Sequence, residues 1–153
     1  MSYEIEIRYV PLTHAVCLET NTPTDKIGDA LAEIFPRVSQ FLVAKHQRPA
    51  GPPFARYVAW CDETCDIQAG FPIAGEMAVS GDFKYIEMGE CEAAYTIHRG
   101  SYDELATAHQ AIKEWIEHCG QEVSGPPWEV YVTDPGEHPD PNEWVTAVYW
   151  PLE

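Results

Sequence analysis

Glu129 and Tyr131 are one residue apart, so in a strand their side chains lie on the same face. Aromatic rings attract organic cations, and a carboxylate beside them adds selectivity for positive charge. The same glutamate, held in a dry aromatic pocket, could instead act as a general base toward water. The pair therefore predicts either a binding site for a cationic or apolar small molecule, or a hydrolytic site in which Glu129 is the catalytic candidate.

Strand alternation also places Trp128, Val130 and Val132 together on the opposite face. A purely apolar set suits packing against a helix. We therefore expect these three residues to face the helices, and Glu129 and Tyr131 to face a concave cleft.

Four further aromatic residues are candidate ligand contacts: Tyr57, Tyr102, Tyr149 and Trp150. Tyr57 corresponds to Tyr131 in an internal repeat, and Tyr102 stands at the start of a predicted helix. Tyr149 and Trp150 are neighbours on the last predicted strand, so only one of them can share the cleft with Glu129. The alternative for each tyrosine is a packed core residue whose hydroxyl has a partner.

An internal duplication organises these residues. Three pairs of segments recur in the same order: 4–27 with 82–105, 51–57 with 125–131, and 71–73 with 150–152. Collinear matches of this kind are improbable by chance. We therefore predict a single domain over 1–153 that is built from two halves, 1–79 and 82–153.

Within each half the pattern predicts two strands, a helix and two more strands. Residues 4–10 alternate polar and apolar, and their expected partner is the strand at 13–19. Thr24 is the predicted N-cap of the first helix. The second helix is predicted to begin near Ser101 and to end before Gly120, which closes it in a left-handed conformation.

The charge of the chain limits its partners. Nine Lys and Arg against 25 Asp and Glu give a net charge of −16, and no basic stripe is present. Nucleic acid and anionic membranes would be repelled, so we expect neither direct DNA binding nor membrane binding. An acidic surface favours cationic molecules or a basic protein partner, although it is also a common route to solubility.

Targeting and metal signals are absent from the sequence. The start has no basic and apolar segments of a signal peptide, and five dispersed cysteines suit a reducing compartment, so we expect a cytoplasmic protein. Cys61 and Cys65 have the wrong spacing for a zinc knuckle, and no second pair follows. We expect no metal and no cofactor.

A resemblance to a known family covers nearly the whole chain. It rests on these motifs: Gly125-Pro126-Pro127 leading into 129–135, Trp144, the segment 149–152, His98-Arg99-Gly100-Ser101-Tyr102, and Ala69-Gly70-Phe71-Pro72. Together these residues are similar to the GyrI-like effector-binding family, also known as the AraC-type ligand-binding domain.

The resemblance implies an α+β fold with duplicated β-β-α-β-β halves, which form a curved antiparallel eight-stranded sheet with two helices on one face and a central cleft. Members bind hydrophobic, often cationic drugs within transcription regulators, hydrolyse reactive strained-ring compounds, or interact with gyrase. The resemblance therefore implies a stand-alone small-molecule sensor or sequestering protein, with a hydrolase and a gyrase-type inhibitor as alternatives. Regulators of the family often carry a glutamate where Ala147 aligns, so either Glu129 takes that role or the ligand is neutral.

Overall fold

The computed structural model describes residues 3–60, 63–133 and 137–153. Cys61 and part of the segment 129–135 therefore lie outside the described residues. The elements, in chain order, are β1 (Glu6–Val10), β2 (Thr13–Pro23), α1 (Ile27–Ala44), β3 (Phe54–Trp60), β4 (Thr64–Ile73), β5 (Lys84–Met88), β6 (Cys91–Arg99), α2 (Leu105–His118), β7 (Trp128–Tyr131) and β8 (Val145–Pro151). Within the described ranges, no helix is long and apolar enough to cross a lipid bilayer.

The chain divides into two compact units. We refer to Leu12–Met88 as the central unit, and to Met1–Pro11 together with Gly89–Glu153 as the terminal unit. The central unit has an antiparallel sheet in the order β3-β4-β2-β5 and carries α1, and the terminal unit has the order β1-β6-β8-β7 and carries α2. The predicted α+β class and the repeated β-β-α-β-β order are confirmed.

The first strand of each half pairs with a strand of the other half. β1 pairs with β6, so that Glu6 lies opposite Tyr95, and β5 pairs with β2. The expectation that 4–10 pairs with 13–19 is therefore wrong. Pro11 explains this locally, because its ring fixes φ near −65°, whereas a two-residue hairpin between β1 and β2 needs positive φ.

In the central unit, α1 packs against β2 and β4. Its buried residues are Ile34, Val38 and Leu42. The predicted N-cap is wrong, because a 3₁₀ turn at Thr24–Lys26 precedes α1 and the Thr24 hydroxyl donates to the Glu63 carbonyl at 3.4 Å. The N-cap position of α1 is occupied by Lys26, which makes no side-chain capping hydrogen bond.

In the terminal unit, α2 packs against β6 and β8. Its buried residues recur at three-to-four spacing: Leu105, Ala108, Ile112 and Ile116. This is the apolar stripe that holds an amphipathic helix on a sheet. Gly120 follows the helix with φ of 69°, as predicted for its closing residue.

Candidate ligand-binding site

The Glu129 carboxyl group lies at the centre of a buried polar cluster in the terminal unit. Glu129 is only 3% exposed. The Tyr131 hydroxyl donates to its Oε1 at 2.6 Å, and Nε2 of His109 lies 2.7 Å from its Oε2. A buried carboxylate without donors is costly, so these two contacts make its position on β7 tolerable.

The second nitrogen of the His109 ring faces the last strand. Trp150 Nε1 lies 3.0 Å from His109 Nδ1. An indole N–H only donates, so Nδ1 must be the acceptor and the imidazole proton sits on Nε2. His109 then donates from Nε2 to Glu129. We refer to His109, Glu129, Tyr131 and Trp150 as the Glu129 cluster.

The Glu129 side chain faces α2, because its partner His109 belongs to that helix. We expected Trp128, Val130 and Val132 to face the helices and Glu129 and Tyr131 to face a cleft on the other side of the strand, and that assignment is wrong. The Trp128 ring stacks on Tyr149 on the opposite face, with centroids 5.1 Å apart and planes 10° apart. The physical reason is that a polar side chain on α2 can satisfy a buried carboxyl group, so apolar character did not decide which face the helix covers.

Tyr149 and Trp150 lie on opposite faces of β8. Trp150 reaches the Glu129 cluster, whereas Tyr149 joins an aromatic row with Trp128 and Tyr95. The Arg8 guanidinium lies 3.9 Å from the centroid of the Tyr95 ring at the end of this row. Burial raises the pKa of Tyr149, and Tyr95 raises it further, so its hydroxyl stays protonated at neutral pH.

Tyr102 extends the cluster with aromatic surface. Its ring centroid lies 5.4 Å from that of Tyr131 and 4.5 Å from that of Trp144. The Trp144 indole is fixed by donation to the His138 carbonyl at 2.6 Å. Tyr102 thus joins the rings of Tyr131 and Trp144 into one aromatic group, and Tyr131 contacts the Glu129 carboxyl group.

Tyr57 lies in the central unit, whereas Glu129, Tyr131, Tyr102 and Trp150 come together in the terminal unit. It is 9% exposed and sits on β3 opposite Ile67. A shared site for Tyr57 and Tyr131 stays a prediction of the repeat.

Thr146 lies opposite Tyr131 across β7 and β8, on the face that carries α2. It is fully buried, and its hydroxyl lacks a hydrogen-bond partner within the described ranges. An unsatisfied buried hydroxyl costs about 1–3 kcal/mol.

Ala147 lies on the other face, because its partner across the strands is Val130 rather than Glu129. It is 4% exposed. A glutamate at this position would therefore not occupy the place of the Glu129 carboxyl group. That Glu129 takes the role of the family's glutamate stays a prediction.

A cavity of about 380 Å³ lies in the central unit between α1 and β2. Its lining carries both signs of charge, including Glu19, Glu33, Arg37 and Lys84. Hydrogen bonds from Lys84 and Gln68 lower the pKa of Glu19. None of the predicted site residues lines this cavity.

His109 was not among the residues that the sequence predicted to form the site. One sequence feature could have predicted a role for His109. It lies four residues after Leu105 and one after Ala108, and therefore beside the apolar stripe of α2. A histidine at the edge of a sheet-facing stripe is placed to reach a strand residue.

Three solved proteins share this fold at low sequence identity. EcmrR, solved in a complex with DNA, has a TM-score of 0.85 and 19% identity, and the match covers 99% of this chain and 57% of that one. Its C-terminal domain alone has a TM-score of 0.82 and 19% identity, with coverage of 100% and 99%. A hydrolase from Listeria innocua has a TM-score of 0.68 and 11% identity, and the match covers 98% of this chain and 92% of that one. SAV2435, solved with bound tetraphenylphosphonium, has a TM-score of 0.58 and 13% identity, and the match covers 100% of this chain and 94% of that one.

These likenesses support the fold, and this chain spans little more than half of the EcmrR chain. No curated protein matches at a significant level. The family model of the GyrI-like small molecule binding domain matches residues 3–153, which is essentially the whole chain. The chain therefore belongs to the GyrI-like small molecule binding domain family.

Proposed function

We propose that this protein senses or sequesters a hydrophobic organic cation, and that the Glu129 cluster supplies the anionic contact. The observation that carries the proposal is a nearly fully buried carboxyl group that contacts the Tyr131 hydroxyl and the His109 ring and lies beside aromatic side chains.

The aromatic surface next to Glu129 supports the same ligand class. The centroid of the Tyr102 ring lies 5.4 Å from that of Tyr131 and 4.5 Å from that of Trp144. Ring faces stabilise an organic cation by about 0.5–2 kcal/mol each, depending on desolvation. The likeness to SAV2435, which was solved with tetraphenylphosphonium, makes that compound a suitable probe.

The test is a titration with tetraphenylphosphonium, followed by calorimetry and by tryptophan fluorescence. We expect saturable binding to the wild type and an affinity about tenfold lower for Glu129→Gln, since a charge is lost but the side-chain shape is kept. Glu117→Gln removes an exposed carboxylate of α2 and is the matched control, for which we expect the wild-type affinity. Equal affinity of Glu129→Gln and the wild type would rule out Glu129 as the anionic contact.

A hydrolase is the second candidate, and the Glu129–Tyr131 hydrogen bond favours it. A carboxylate can take a proton from water while a tyrosine hydroxyl donates to the leaving atom of an electrophile. The likeness to the Listeria hydrolase agrees with this reading. If the protein turns over a strained-ring electrophile, the product gains the elements of water, and Glu129→Gln loses the conversion while it still binds the compound.

A further inference from the structure

We propose that the cavity between α1 and β2 of the central unit binds an α-amino acid with an apolar side chain. The residues that line it belong to the range Leu12–Met88, so it shares no residue with the Glu129 cluster. The inference therefore does not rest on the proposed function. The cavity volume of about 380 Å³ lies within the range of about 300–1,000 Å³ that is typical of small-molecule sites.

The cavity opens along one edge of β2. Leu18, Glu19 and Thr20 are consecutive in this strand and all three line the cavity, although successive side chains point to opposite faces of a sheet. β5 pairs with β2 only from Thr13 to Cys17, and among the residues that the structure describes no strand pairs with this edge after Cys17. The edge therefore offers backbone N–H and C=O groups to a ligand.

Apolar side chains form the floor of the cavity. Leu18 of β2 and Ile34 of α1 are buried, with 3% and 5% exposure, and Ala30 lies one turn before Ile34 on the same side of the helix. The short side chain of Ala30 leaves space beside these two residues. We refer to Leu18, Ala30 and Ile34 as the apolar floor. An apolar group of a ligand that contacts this floor is removed from water, which favours binding.

Charged side chains of both signs surround the apolar floor. Glu19 and Lys84 form a salt bridge with each other, so this pair is neutral overall. Glu33 and Arg37 lie one turn apart on α1, an order and spacing that favour an ion pair. Within the described part of the chain, however, neither of them forms a salt bridge, and nor does Asp82. Two carboxylates and one guanidinium group are thus available to a ligand.

An α-amino acid matches all three features of the cavity. Its ammonium group can donate to Glu33 and Asp82, and its carboxylate can accept from Arg37. The same two groups suit the edge of β2, because an ammonium group donates to backbone carbonyls and a carboxylate accepts from backbone N–H groups. A ligand with only one kind of charge would leave either Arg37 or the two carboxylates without a partner. The lining of both signs therefore favours a zwitterion whose side chain lies on the apolar floor.

The charge requirement is tested with leucine, leucinamide and N-acetylleucine, which share one apolar side chain. Calorimetry at about pH 6, where the α-amino groups are protonated, gives the affinities. We expect leucine to bind about tenfold more tightly than either analogue, since each analogue lacks one charged hydrogen-bonding group. NMR shifts of the backbone amides should locate leucine beside residues 18–20 and 30–37. No binding of leucine, or equal binding of the three compounds, overturns the proposal.

The contact with the ligand carboxylate is tested by Arg37→Gln. This variant should bind leucine about tenfold more weakly and leucinamide as the wild type does, because leucinamide has no carboxylate. Arg48→Gln is the matched control, since Arg48 is an exposed arginine of the central unit that does not line the cavity. We expect it to keep the wild-type affinity for leucine. Equal losses in the two variants would show an effect of net charge and would contradict the contact.

The apolar floor is tested by Ala30→Leu, whose longer side chain fills the space beside Leu18 and Ile34. We expect this variant to lose leucine binding, whereas Ala32→Leu, at an exposed position of the same helix, should bind as the wild type does. Thermal melting shows whether each variant is folded, and the Arg37→Gln comparison decides the matter if Ala30→Leu is not. Leucine binding that persists in a folded Ala30→Leu protein overturns the assignment of this cavity.

Discussion

The Tyr131 hydroxyl donates to Oε1 of Glu129 at 2.6 Å, although the two residues lie only two positions apart on one short strand. The other carboxylate oxygen is bound by His109 of α2. The two oxygens thus have different donors, one from the same strand and one from the helix. Each donor can be removed without deleting the other, which makes the cluster open to separate tests.

Removal of the Tyr131 hydroxyl should destabilise the fold. Tyr131→Phe keeps the ring but takes one donor from a buried carboxylate, so we expect the free energy of unfolding to fall by about 1–3 kcal/mol. Urea denaturation measures this change. Tyr149→Phe, which deletes a hydroxyl on the opposite face of the sheet, should cost less, and an equal loss in both variants would show that the carboxylate does not depend on Tyr131.

Two buried threonines should respond to valine in opposite directions. The Thr146 hydroxyl lacks a partner among the described residues, whereas the Thr96 hydroxyl donates to the Glu4 carbonyl at 2.7 Å. We expect Thr146→Val to raise the free energy of unfolding by about 1 kcal/mol and Thr96→Val to lower it by a similar amount. If Thr146→Val is as destabilising as Thr96→Val, the Thr146 hydroxyl has a partner such as bound water.

Replacement by alanine should have opposite effects on stability at two glycines of the central unit, because only one of them has space for a Cβ atom. A Cβ on Gly70 would lie 1.9 Å from the Val16 carbonyl oxygen, whereas a Cβ on Gly28 of α1 would meet nothing within 4 Å. We expect Gly70→Ala to separate β2 from β4 and to lower the melting temperature. Gly28→Ala should raise the free energy of unfolding by up to about 1 kcal/mol through helix propensity. A folded Gly70→Ala protein with wild-type melting would contradict the close approach.

Alkaline pH should destabilise the central unit through Cys17. Burial raises the pKa of its thiol from 9.0 to about 12. Above pH 9 the unfolded chain loses this proton while the folded chain keeps it, so stability is present below pH 9 and is lost as the pH rises toward 12. One such group contributes a slope of about 1.4 kcal/mol per pH unit. Urea midpoints across this range should fall less steeply in Cys17→Ala, and parallel curves would refute the assignment.

Local patterns predicted the elements of this protein well. The two β-β-α-β-β halves follow from a repeat, the apolar stripe of α2 follows from three-to-four spacing, and Gly120 ends that helix as expected. Such features depend on residues close together in the chain, and periodicity and turn chemistry report on them directly. The family resemblance rests on the same local motifs, and the family model confirms it.

The sequence by itself thus predicted the class of fold, the two duplicated halves, and Glu129 and Tyr131 as candidate site residues. Only the tertiary structure decided that β1 joins β6, that the Glu129 face carries α2, and that Trp150 meets His109 across 41 positions. Alternation defines two faces of a strand but not which one a helix covers. That choice depends on which buried polar groups find donors, and the donor from the helix, His109, lies 20 positions from Glu129 in the chain.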